Sequence, residues 1–177
     1  TPPTAEPVRR ALAWALAQDP AAWGSVTRNT RSAGLALLLL EGGPEHEALS
    51  RTLGQTLAGA LDDATGYWTS LAVPEQPGIP SLDDSQVAAL GLWTARRRGL
   101  AVPVAVWERH ARALCEEQTG TGSWRHHPTH WLTGQGWPPD RRVDTGVPVG
   151  RGIGLADLLL ARAAMQEGRL GTSRLDL

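Results

Sequence analysis

Three histidines stand within five residues, at His126, His127 and His130, and two adjacent carboxylates, Asp83 and Asp84, open a helical pattern. Imidazole ligates metals and moves protons near neutral pH. Pro128 lies among the histidines, however, and a proline there prevents the i, i+4 ligand geometry of a helix. Surface or capping histidines are therefore expected, with no metal and no cofactor. Carboxylates in a first helical turn stabilise the N-terminus by up to about 1 kcal/mol, which is the plain role for Asp83 and Asp84. A third group is aromatic. Tyr67, Trp68, Trp93, Trp124, Trp131 and Trp137 could stack on a sugar, a polyprenyl chain or a proline-rich peptide. Yet the chain has eight Trp, one Tyr and no Phe, so Trp must also supply core bulk. The candidate binding set is Trp68, Trp93, Trp124, Trp131 and Trp137 with the three histidines.

The elements that would position these residues are helical. Apolar residues recur at three- and four-residue steps over about 7–18, 28–41, 44–61, 83–98, 103–118 and 149–166. Ser81 or Asp83 is placed to cap the fourth of these helices. Gly42-Gly43, Gly99 and Gly168 mark stops, and Pro7, Pro44 and Pro103 mark starts. Cys115 falls on the apolar pattern of the fifth helix and is expected to be a small buried hydrophobe; a lone cysteine forms no internal disulfide. Residues 62–80 and 119–148 read as long loops, and long loops often carry function. One domain spans 1–177, with a lead-in at 1–6 and a tail at 168–177.

The order amphipathic helix, Gly-Trp turn, small-and-leucine helix occurs three times. Gln118-Thr119-Gly120-Thr121-Gly122-Ser123-Trp124 is the clearest turn, of the form Gln-x-x-x-Gly-x-Trp. Gln18 to Gly24 and Asp62 to Trp68 are looser copies. Ser32 to Leu40, Ser85 to Trp93 and Gly152 to Leu160 follow the three turns. Self-similarity of this length marks a helical repeat array. The chain resembles the prenyltransferase and squalene-hopene cyclase-like repeat family, whose repeats carry a QW motif; the match at Gln118, Gly122 and Trp124 is its most specific part. The resemblance implies an all-α, α/α toroid-type array. Here it would hold about three inner–outer helix pairs in an open arc, with Trp23, Trp68 and Trp124 at equivalent turns. It also implies a role for Ser81-Leu82-Asp83-Asp84, which aligns with the Asp-x-Asp-Asp acid motif of class II terpene cyclases, with Ser81 in place of the first Asp. Asp83 falls on the proton-donating position. That chemistry requires a protonated carboxylic acid at the floor of an apolar cavity.

Two functions follow as expectations. The first is a non-catalytic module binding a protein partner or an isoprenoid-like apolar ligand on its concave face, with self-association through the open ends of the array. The second is a terpene cyclase, or a fragment of one, using Asp83 and Asp84. A net charge of −1 provides no field for nucleic acid. No run reaches the roughly 18 apolar residues of a membrane span. All seventeen basic residues are Arg, as a GC-rich bacterial source would give, and a cytoplasmic rather than secreted location is expected. Gly150 to Gly154 opens a helix without a preceding strand, so no dinucleotide loop is expected.

Overall fold

In the computed structural model, residues 28–40, 44–72, 78–129 and 148–169 are described, together with the isolated positions 6, 10, 13 and 134. The described residues form five helices, α1 (Thr30–Leu39), α2 (Pro44–Gly59), α3 (Leu82–Arg97), α4 (Val104–Glu117) and α5 (Pro148–Arg169). Among them there is no strand, only isolated bridges, so the expected all-α class holds. The expected 7–18 helix lies almost wholly outside the described residues, although positions 10 and 13 are helical.

Local chemistry sets the helix ends. Asn29 Oδ1 accepts from the Ser32 amide at 2.9 Å, capping α1, and Ser81 Oγ accepts from the Asp84 amide at 3.2 Å, capping α3. Gly99, at φ +94°, follows the end of α3, as the sequence predicts. The stretch between α2 and α3 is better built than its lack of periodicity suggests. Antiparallel bridges join Leu61 to Trp68 and Thr69 to Pro80, and a third ties Leu71 to Asn29.

Helices α1, α3 and α5 lie side by side with α3 between the other two; α2 packs on α1 and α3, and α4 on α5. Residues from all five helices meet in one core, among them Leu37, Leu57, Leu92, Trp107 and Ala161. The α1–α3 crossing is close because glycine faces glycine. A Cβ on Gly91 would stand 2.8 Å from the Gly34 carbonyl oxygen, and one on Gly34 would stand 2.6 Å from that of Val87.

Two units of the chain share one pattern of bonds. Trp68 Nε1 donates to the Leu57 carbonyl in the last turn of α2. Trp124 Nε1 donates to the Leu114 carbonyl in the last turn of α4, and both bonds are 2.7 Å. Carbonyls in a last helical turn lack the usual intrahelical donor; the indole N–H supplies one, which at Leu57 is shared with the Ala60 amide. Gly66 and Gly122, each two residues before the Trp, have φ of +67° and +72°, a conformation that favours glycine. Two residues after each Trp, the Ser70 and His126 carbonyls accept from the first amides of α1 and α3, those of Thr30 and Leu82. The expected third copy, at Trp23, lies outside the described residues.

One difference between the units explains a histidine. In the first unit the Ala72 amide donates to the Arg28 carbonyl. The equivalent donor in the second unit is Pro128, which has no N–H. There the His127 ring supplies the missing contact, with Nδ1 2.8 Å from the Pro80 carbonyl oxygen.

Candidate functional site

The acidic pair sits where α3 begins, and its two members differ. Asp84 is buried. Its Oδ2 accepts from Ser81 Oγ at 2.7 Å, and its Oδ1 from Arg31 Nε at 3.2 Å. The Ser81 hydroxyl thus accepts from the Asp84 amide and donates to its carboxylate, and Arg31 ties α1 to them. The Asp83 side chain is 45 % exposed, with Oδ1 3.7 Å from Nδ1 of the exposed His126. An acid strong enough to protonate an alkene needs enclosure away from water, and Asp83 does not have it. Ser81, the residue standing where the cyclase motif has its first Asp, is the N-cap.

The aromatic candidates separate by burial. Trp68 and Trp124 are buried, and Trp124 lies so close over Gly154 of α5 that a Cβ there would overlap its ring. They are core and capping residues, not a binding surface. Trp93 is half-buried on α3. His126 and His127 meet edge to face at 4.4 Å; His126 is exposed, while His127 is held on Pro80 as described. His130, Trp131 and Trp137 lie outside the described residues. Among the described residues, no three His, Cys, Asp or Glu side chains are placed to hold a metal ion, and no helix is long and apolar enough to cross a membrane.

Cys115 corrects an expectation: it is exposed. The buried stripe of α4 runs through Trp107, His110, Ala113 and Leu114, which leaves Cys115 one step beyond it, towards solvent. The core place goes instead to His110, a residue the apolar pattern passes over. His110 is fully buried, as is Asp157 of α5. Its Nδ1 lies 2.9 Å from the Gly66 carbonyl oxygen, and its Nε2 lies 3.4 Å from Asp157 Oδ2. The rings of Trp68 and Tyr67 meet it edge-on at 4.8 and 5.9 Å. Burial raises the Asp157 pKa above its ordinary value, and the His110 hydrogen bond and charge offset part of that rise. Its second oxygen, Oδ1, has no hydrogen-bond partner among the described residues. Counting back from the carbonyls that receive the Trp indoles, the equivalent of His110 in α2 is Leu53, also fully buried. The signal available in the sequence was a lone Asp inside the apolar run Leu155–Leu160.

A cleft of about 260 Å³ lies between Ala64 and Thr65, the end of α4 and Pro128, with Glu116 and Glu117 on its wall. It is smaller than ordinary ligand pockets of roughly 300–1,000 Å³, and Glu117 is already engaged by the Thr129 amide and hydroxyl.

The largest apolar side chains open to solvent fall mostly on the two flanking helices of the layer. Leu35 and Leu39 of α1 are 46 % and 49 % exposed, and Leu155 and Leu159 of α5 are 54 % and 56 % exposed. Each pair is spaced i, i+4, which puts both members on one helix face.

No protein-family model, no curated protein and no solved structure matches this chain.

Proposed function

We propose that this chain is a non-catalytic helical repeat module that binds a protein partner through the exposed leucine faces of α1 and α5. The observation that carries this reading is the pairing of Leu35 with Leu39 and of Leu155 with Leu159 on the two helices that flank α3 among the described residues. A leucine about half exposed is too open to line an enclosed ligand cavity. It suits the broad contact of a protein surface, where apolar anchors dominate the energetics. The two matching Gly-x-Trp units support a further step, in which the layer is an arc of an α/α array of the cyclase-like kind and α1 and α5 border its open sides. The half-exposed Asp83 gives no enclosed acid, so the module is assigned no proton-transfer step.

An environment-sensitive apolar dye tests the binding face. The unsubstituted chain should bind the dye saturably. Leu35→Glu with Leu39→Glu, and Leu155→Glu with Leu159→Glu, should each weaken that binding while the far-ultraviolet circular dichroism stays unchanged. Dye binding that survives all four substitutions, or its absence in the unsubstituted chain, would contradict the proposal. Sedimentation at several concentrations tells a second copy of this chain from a different protein partner, since mass that rises with concentration identifies a second copy.

A further inference from the structure

We infer that His110 and Asp157 form a proton-dependent clamp that holds α5 against α4 and the Gly66 turn, and that loss of one proton releases α5. The inference does not depend on the proposed binding role, although Asp157 lies on the same helix as Leu155 and Leu159.

The geometry fixes the proton count. His110 Nδ1 faces the Gly66 carbonyl oxygen at 2.9 Å. A carbonyl can only accept, so Nδ1 carries a hydrogen. Nε2 then faces Asp157 Oδ2 at 3.4 Å, and a single proton must lie between them. Either imidazolium donates to carboxylate, or a protonated carboxyl donates to neutral imidazole. Both forms are neutral overall, which suits a site where both side chains have no exposure at all. Remove that proton and two acceptors face each other in the core. The carboxylate then has no other donor, because Oδ1 is already without a partner among the described residues. An ionised carboxylate buried in this way is costly. Relief comes when α5, which contributes Asp157, moves off α4.

Among the described residues, the surroundings supply no substitute charge. The turn contributes the Tyr67 ring, beside His110, and its Asp63 is exposed and paired with Arg109. On α4, Glu108, Arg109, Arg112 and Glu116 are exposed, as is Arg162 on α5. Helix α3, packed against α5, holds the buried Asp84, already engaged by Ser81 and Arg31; its Asp83 is half-exposed beside His126. The direction of the pH effect follows from Asp157, whose folded pKa lies above its unfolded value because of burial. The stabilisation is therefore lost as pH rises through the raised value.

Hydrogen exchange followed by mass spectrometry, corrected for the intrinsic rate, tests the clamp on the whole chain. As pH rises above the ordinary carboxylate range, protection of the α5 amides should fall, approaching about tenfold per pH unit, the limit for release of one proton. Amides beside the Gly34–Gly91 contact serve as the reference and should keep their protection. Asp157→Asn, which can donate to Nε2 without a titrating proton, should flatten the α5 profile. A flat α5 profile in the unsubstituted chain overturns the inference, as does an unchanged slope in Asp157→Asn. If that variant does not fold, the slope of α5 against the reference region in the unsubstituted chain decides alone.

Discussion

Trp124 acts in two ways at once, and each has its own test. Its ring fills core space over Gly154, and its Nε1 satisfies the Leu114 carbonyl. Trp124→Ala should cost roughly 3–5 kcal/mol, as large core truncations do. Trp124→Phe keeps most of the ring and leaves a buried carbonyl without its donor, at a cost of about 1–3 kcal/mol. In Trp68→Phe the Leu57 carbonyl would keep the Ala60 amide as a donor at 3.2 Å, so its hydrogen-bond loss should be the smaller one. Urea unfolding of the variants measures both. His127 makes a sharper case. His127→Ala should destabilise by about 1–3 kcal/mol because the Pro80 carbonyl loses a donor. Pro128→Ala added to it should recover part of the loss, since a backbone N–H returns where Ala72 supplies one in the first unit. A double-mutant cycle with no coupling would show that the ring contributes nothing through that contact. Asp83→Asn should change stability by no more than about 1 kcal/mol, the scale of a first-turn charge.

At the scale of elements, periodicity and punctuation located most helix boundaries, although α5 runs through Gly168, the expected stop, to Arg169. Pro44, Gly99 and Pro103 stand where the sequence suggests boundaries, because these residues act locally. The Gly-x-Trp turns were legible for the same reason: a left-handed glycine and an indole two residues later are short-range features. The polar core was not legible. His110 and Asp157 are 47 residues apart, and each sits inside an otherwise apolar stripe, so neither has a local partner to announce it. Cys115 misled because an apolar-looking residue beside a helical stripe can fall on either side of it. The Gln118 of the Gln-x-x-x-Gly-x-Trp pattern also gave way to a neighbour. Gln118 is exposed, and Thr119 organises the turn, its Oγ1 accepting from the Ser123 amide and lying 2.9 Å from the Ser123 hydroxyl. The close α1–α3 crossing carries a prediction of its own. Gly91→Ala should destabilise by about 1–3 kcal/mol through overpacking, because its Cβ meets backbone that cannot rotate away. A near-neutral result in urea unfolding would mean that the two helices separate at little cost.

For the whole molecule, the proposed role rests on leucines that the fold leaves open. Leu37, Leu53, Leu57 and Leu92 are fully buried, while Leu35, Leu39, Leu155 and Leu159 are about half exposed on the two helices flanking α3. The most direct test is site-resolved. Spectra of the leucine methyl groups, recorded by nuclear magnetic resonance while a soluble apolar dye is added, report each side chain separately. The proposed binding face predicts the largest saturable shifts at Leu35, Leu39, Leu155 and Leu159, with the buried four unmoved. Shifts centred on the buried leucines instead, or none at the exposed four, would contradict it.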